Sequence, residues 1–401
     1  MKRTSLLALL AIVCTLDTGV VSASTEASAG HRVAVWGPSM TTGGPAFNHQ
    51  TIRMVAHTST GGAGLRIHLS NLRGTIPLSV GAVSIGLQEQ GAAAVAGSLR
   101  AVRFRARESV SIPAGAEVVS DPIPMAVDTE QNVIVSLYLP DPTGSATFHS
   151  SAFQTAYVSG DGDHTTEEGA SSYGTTRTSW YFLSGLDVLP FEARGTVVAF
   201  GDSITDGSIT PTGANRRWPD ALARRLAGDH PMAVVNSGIG GNRVLTDSPT
   251  LRQGIRALAR FDHDALAFPG VRDIILLEGI NDIGNNAGPN GTPITAPALI
   301  EGYRTLIAKA HAAGVRIIGA TMLPYKGAGY YRDTGELVRQ EANAWIRTSG
   351  AFDGIIDFDA AIRDPQDPAV MQSSYDSGDH LHPNAAGMQA MADAIDLALL
   401  Q

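Results

Sequence analysis

From Gly195 onward, apolar runs of strand length alternate with stretches of helical period, and this alternation constrains the fold more than any other feature of the chain. The runs are TVVAFGD (196–202), AVVNSG (233–238), DIILLEG (273–279), VRIIGAT (315–321) and GIIDF (354–358). They are continuously apolar rather than alternating, as strands covered by helices on both faces are. Helices are expected around 217–228, 251–261, 297–313 and 335–348, with a last one near 384–400. Parallel strands need long crossovers, usually helical. The pattern therefore predicts a three-layer α/β sandwich around a parallel, doubly wound sheet over residues 195–401.

Residues 31–188 follow a different grammar. Short runs such as TIRMVAHTS, GLRIHLSNL, SVGAVSIGL, AVRFRAR, ESVSIPAG, NVIVSLYLP and ATFHSSAF are bounded by Gly, Pro, Ser or Asn. Several alternate apolar with polar residues, the period of half-buried antiparallel strands. An all-β sandwich or jelly-roll domain is predicted here. LDVLPFEARG (186–195) reads as the linker between the halves. The stretch 158–174 reads as a polar loop, in which Asp161, Asp163 and His164 raise the question of a cation.

The first 23 residues stand apart. Lys2 and Arg3 precede an apolar run from Leu6 to Val13, and Val21-Ser22-Ala23 offers a small-residue cleavage point. This reads as a signal peptide and predicts secretion, extracellular or periplasmic. The run is too short to span a bilayer, so no stable membrane anchor is expected. The only cysteine, Cys14, lies within this segment, which leaves the mature chain without a disulfide framework, a cysteine nucleophile or a cysteine metal ligand. The chain carries a net charge of −9, the wrong sign for a nucleic-acid partner.

In an open parallel sheet, sites form beyond the carboxyl ends of the strands. Polar clusters follow three of the predicted strands, and a fourth precedes the last helix. Gly201-Asp202-Ser203 ends the first strand, where a serine on a tight turn presents its hydroxyl above the sheet. Read alone, it could equally cap a helix. NSGIGGNRV (236–244) supplies glycines that let backbone N–H groups approach a ligand. EGINDIG (278–284) offers the Asn281 amide, with Asp282 read as a loop anchor. SGDHLHPN (377–384) places Asp379 and His382 three residues apart, so that one can orient the other, while His380 points elsewhere.

Together these blocks resemble the SGNH hydrolases, also called GDSL-type esterases and lipases, over residues 195–400. GDSITDG looks like that family's nucleophile block, NSGIGGN like its second, GIND like its Gly-x-Asn-Asp block and DHLH like its Asp-x-x-His block. RRWPDALARRL (216–226) looks like its first helix. The resemblance implies an SGNH, flavodoxin-like fold and ester hydrolysis through an acyl-enzyme. It implies Ser203 as nucleophile, His382 as general base and acid, and Asp379 as its orienting carboxylate. The oxyanion hole would comprise the N–H groups of Ser203 and Gly241 and the Asn281 side chain. It implies no metal and no organic cofactor.

The family spans many esters, so the substrate must be read elsewhere. A secreted chain without a long apolar lid segment favours short acyl groups, acetyl above all, on a carbohydrate or other polar carrier. A lipase or lysophospholipase is the alternative, and a non-enzymatic glycan-binding protein a third. Phosphodiester cleavage would ask more of Arg216, Arg217 and Arg243, which are read as carbohydrate contacts or helix-surface charge. The β half is left as glycan-binding module, active-site wall or brace, and the oligomeric state is not legible.

Overall fold

The computed structural model describes residues 31–228 and 231–400. The predicted signal peptide and Cys14 lie outside them. In the second half, five parallel strands form one sheet: Thr196–Gly201, Ala233–Gly238, Val271–Leu277, Arg316–Ala320 and Gly354–Ile356. Their spatial order is second, first, third, fourth, fifth, so the chain reverses direction across the sheet beside the first strand. That is the flavodoxin-like order, and it opens a crevice at the carboxyl ends of the first and third strands. Val197, Val198, Ala199 and Phe200 are all fully buried, as are Ile274 and Ile275.

Helices Trp218–Leu226, Ala296–Ala312 and Asp333–Thr348 form close to where the helical period places them. The expected helix at 251–261 does not form as one piece. A 3₁₀ turn, Leu251–Gln253, stops at Gly254 with φ +71°, and a helix resumes only at Ala257–Phe261. The positive φ breaks helical propagation and turns the 250–255 segment outward, beside the crevice. The last helix also ends early, at Asp393, and Leu397–Leu399 is a separate 3₁₀ turn.

The first half is antiparallel. One sheet runs in the order Val33–Trp36, Leu183–Pro190, Gly62–Ser70, Glu117–Val119. A larger one centres on Gln50–His57, Asn132–Leu139 and Ala82–Gln90. Leu65, Ile67 and Leu69 of the first, at period two, share a core with Ile52, Met54, Val133 and Val135 of the second. AVRFRAR contributes only Ala101 to a strand, Arg100–Ala101; the rest turns back on itself through the Phe104–Arg107 bridge. In the 158–174 stretch, Ala156–Asp161 is strand. The remainder folds over the buried Arg53, whose guanidinium donates to the carbonyls of Ala92 (2.7 Å) and Glu167 (2.6 Å). Asp163 is engaged by Thr165 and His164 by Glu167. Among the described residues, no three His, Cys, Asp or Glu side chains group as metal ligands would.

The expected linker is the largest departure. Leu183–Pro190 is an internal strand, paired on both edges, and only 191–195 connects the halves. Asp187 makes the stretch look like surface, an acidic residue near a proline, yet its side chain is fully buried. It accepts hydrogen bonds from Arg32, from Arg66 (3.0 Å) and from His68 (2.5 Å). Arg66 and His68 face it because they alternate with the core residues Leu65, Ile67 and Leu69. The described residues pack as one unit. Strand Val33–Trp36 lies against the second half, with the Ala34 N–H donating to Pro269 O at 3.0 Å and to Thr196 Oγ1 at 3.1 Å.

Burial alone would push the Asp187 carboxyl up, but its hydrogen bonds from His68 and the two arginines hold it below the ordinary carboxylate range. Its stabilising contribution is therefore complete at neutral pH and lost only as pH falls through that lowered value. Replacing Asp187 by Asn is expected to cost about 3 kcal/mol or more in urea unfolding at neutral pH, with the deficit shrinking in strong acid.

Candidate active site

The first parallel strand ends in a turn that admits almost no side chain. A Cβ on Gly201 would lie 2.3 Å from Thr205 Oγ1 and 2.4 Å from Leu277 O. Asp202 caps the following turn, its Oδ1 accepting from the Ile204 N–H at 2.9 Å. Ser203 opens that turn, so its N–H belongs to the set that helix geometry leaves without an internal acceptor. The turn stops at Gly207, φ +94°.

The loop before the last helix brings His382 over Ser203. Nε2 lies 2.8 Å from Ser203 Oγ, and Nδ1 lies 2.6 Å from Asp379 Oδ2. The other carboxylate oxygen, Oδ1, accepts from the N–H groups of His382 (2.8 Å) and Leu381 (3.0 Å) and from Ser377 Oγ (3.1 Å). Burial works against the Asp379 charge, but these hydrogen bonds, that of the His382 ring first, bring its carboxyl down to about 2. A fixed anion at Nδ1 makes Nδ1 the protonated nitrogen and leaves the Nε2 lone pair for the Ser203 proton. His380 turns away to Asp376, 2.5 Å from Nδ1.

Gly241, at φ +78°, and Asn281 line the same pocket as Ser203 and His382, a cavity of about 400 Å³. Asn281 Nδ2 donates to Asn242 O at 3.0 Å, which fixes the amide orientation and leaves its second N–H free to point elsewhere. Asp282 does anchor the loop: Oδ2 and Oδ1 accept from the Val244 (2.8 Å) and Leu245 (3.0 Å) N–H groups. Ser203, Gly241, Asn281 and His382 thus line one pocket, with Asp379 behind the His382 ring.

Two residues escaped notice. Arg260 is buried and donates to Gly201 O (2.8 Å), Ser237 O (2.9 Å) and Asn242 Oδ1 (2.8 Å), which ties together the ends of the first two strands. Its signal was present, an arginine three residues after buried Ala257 on a core-facing helical stripe. Asn242 pins the broken 251–261 segment, donating to Gln253 O (2.8 Å) and Ile255 O (2.9 Å). Arg217 is not a carbohydrate contact. It is buried, and it donates to Asp206 O (2.8 Å) and to Ala152 O of the first half.

Residues 199–390 match the model of the GDSL-like lipase/acylhydrolase family. The chain carries a GDSL-like acylhydrolase domain. As such it is a carboxylic ester hydrolase. No curated protein matches the chain. Solved structures similar to it include Est24, a carbohydrate acetylesterase from Sinorhizobium meliloti (18% identity, 52% of this chain, 100% of that one, TM-score 0.40). An acetyl xylan esterase from Geobacillus stearothermophilus shares 21% identity over 52% of this chain and 94% of its own, at a TM-score of 0.39. LAE5, an alpha/beta hydrolase enzyme from the metagenome of Lake Arreo, shares 20% over 52% of this chain and 96% of its own, also at 0.39.

Beneath the acylhydrolase pocket lie three buried carboxyls. Burial first, then repulsion from Asp282 and Asp206, raises Asp202 to about 7. Burial likewise raises Asp282 to about 7 and Glu278 well above the ordinary range. A folded-state value above the unfolded one means that the folded protein holds the proton more tightly, so stability falls as pH rises from about 4 towards 7. Asp202→Asn keeps an oxygen for the Ile204 N–H and never ionises. Its stability relative to the parent is expected to rise by roughly 1–3 kcal/mol between about pH 5 and about pH 8, read from paired denaturation curves.

Proposed function

We propose that the chain is a secreted serine esterase that removes short acyl groups, acetyl above all, from a carbohydrate or similarly polar carrier. We read its α/β half as a three-layer SGNH-type sandwich, a reading supported by helices that pack in pairs, Trp218–Leu226 with Ala385–Asp393 and Ala296–Ala312 with Asp333–Thr348. The secretory reading rests on the leader-like first 23 residues.

In this mechanism Ser203 Oγ attacks the ester carbonyl carbon as its proton passes to His382 Nε2. The carbonyl π electrons move onto oxygen, which becomes the oxyanion. The N–H groups of Ser203 and Gly241 and the Asn281 amide receive that charge. Collapse of the tetrahedral intermediate re-forms the carbonyl and breaks the bond to the alcohol oxygen, which takes the proton from Nε2. Water then repeats the sequence on the acyl-enzyme, its proton going to Nε2 and returning to Ser203 Oγ as the acid leaves. Asp379 stabilises the imidazolium in each half-reaction and stays ionised throughout.

The lining of the pocket carries the substrate reading. Ser150, Ser151, Ser208, Gln253 and Arg252 present polar groups, while Leu381 and the Tyr330 ring are the apolar side chains among them. A long acyl chain draws about 0.8 kcal/mol from each methylene it buries, and this wall offers little surface to bury it against. Hydroxyl and amide groups suit a polyhydroxylated carrier instead.

The test is a p-nitrophenyl ester series from acetate to palmitate, followed by acetylated oligosaccharides. The parent protein is expected to prefer acetate, and Ser203→Ala to lower kcat by roughly four orders of magnitude or more. A maximum at long chains would make the protein a lipid acyl hydrolase, and equal turnover by the Ser203 variant would remove the mechanism.

A further inference from the structure

The first half of the chain reaches the back of the acyl-transfer site through one side chain. His149 is the last residue of strand Ala146–His149, and its ring is buried. Nε2 lies 3.0 Å from Asp206 Oδ1, and Nδ1 lies 2.9 Å from Ser39 O. Trp180 packs on the ring, with centroids 5.5 Å apart.

A carbonyl oxygen can only accept, and so can an ionised carboxylate. Both nitrogens of His149 therefore face acceptors, and only the imidazolium satisfies both. Burial opposes that cation, but Asp206 and the Ser39 carbonyl raise the pKa of His149 above its ordinary value, against a smaller opposing effect from Arg217. Arg217, itself paired with Asp220, faces the same space, and His57 and Glu130 line the small cavity beyond.

Asp206 closes the turn that Ser203 opens. Its second oxygen, Oδ2, accepts from the Gly240 N–H at 3.2 Å. The next residue is Gly241, whose N–H is assigned to the oxyanion. An unbroken path of hydrogen bonds and one peptide unit thus runs from Ser39 and His149 through Asp206 to the oxyanion loop. Ser150 and Ser151, which follow His149, line the same pocket as Ser203.

We propose that His149 is a positioning residue for the oxyanion loop, acting through Asp206. The proposal rests on the esterase reading above, in which Gly241 holds the developing charge. Oxyanion donors act on the transition state and not on bound ester, so their misplacement lowers kcat and leaves KM nearly unchanged.

The experiment compares His149→Phe, His149→Gln, Asp206→Asn and the double variant His149→Gln/Asp206→Asn in the full chain. Active sites are counted by stoichiometric labelling of Ser203 with an organophosphonate, so misfolded protein does not enter kcat. His149→Phe is expected to lower kcat for p-nitrophenyl acetate by about 10- to 100-fold per labelled site, with KM within about threefold. His149→Gln, which keeps one donor for Asp206, is expected to recover part of the loss and carries the test if the Phe variant does not fold. The double variant is expected to lose no more than the worse single, as residues acting in one chain do. A kcat per labelled site within about threefold of the parent in His149→Phe, or in both His149→Gln and Asp206→Asn where the Phe variant does not fold, whatever the melting temperature, would reduce His149 to a brace and overturn the proposal. Failure of the parent itself to turn over any ester would instead sink the esterase reading.

Discussion

The site depends on a guanidinium that never touches it. Arg260 lies under the crevice and donates to Gly201 O, Ser237 O and Asn242 Oδ1, so one rigid group fixes the exits of the first two parallel strands. Gly201 O also accepts from the Ile239 N–H at 3.0 Å, so Arg260 fills its second lone pair, and a buried carbonyl left without any donor costs about 1–3 kcal/mol. A planar fork can serve several such groups at once, where a lysine could not hold the same geometry. Asp264, 3.4 Å away, balances its charge, and the Glu278 carboxyl lies 3.6 Å away. The turn bearing Ser203 and the loop bearing Gly241 are thereby set relative to one another before any ester arrives, which is what preorganised stabilisation of an oxyanion requires.

The first half of the chain belongs to this arrangement. Ser39 Oγ accepts from Arg260 Nη1 at 3.1 Å and lies 2.6 Å from Ser237 Oγ. Ser59 Oγ accepts from the Val234 N–H at 2.9 Å, and Arg217 returns the contact by donating to Ala152 O. These groups leave the polar seam hydrogen-bonded rather than dry and apolar. Such a seam adds little net stability but demands one register, because each misalignment strands a buried polar group.

Much of the site was legible because its chemistry is local. Ser203, Gly241, Asn281, Asp379 and His382 each sit in a short block whose residue types announce a turn at a strand end or before a helix. The parallel sheet was legible for a related reason, since strands covered on both faces are apolar throughout. What could not be read depends on partners distant in sequence. Asp187 looked like a linker residue because its partners, Arg32, Arg66 and His68, lie more than a hundred positions away. The contact of His149 with Asp206 spans the two halves and has no local signature. The broken helix at 251–261 was hidden by a good helical period, which the backbone of Gly254 overrides. Arg217 looked like surface charge because helix period alone does not reveal a neighbouring half.

The buried carboxyls beneath the pocket bear on the same chemistry. Ionised, Asp202, Glu278 and Asp282 would place negative charge behind the proposed oxyanion donors. The Coulomb cost of two like charges grows as water is excluded, so this opposition would be felt where it matters most. Burial raises all three carboxyls above their ordinary range. Asp379, by contrast, is held down to about 2 by hydrogen bonds from the His382 ring and from backbone N–H groups. The two environments separate these four acids into three whose ionisation burial opposes and one that is held charged behind the histidine. Desolvation accomplishes the first and hydrogen bonding the second. The same residue type therefore serves opposite electrostatic ends within one crevice.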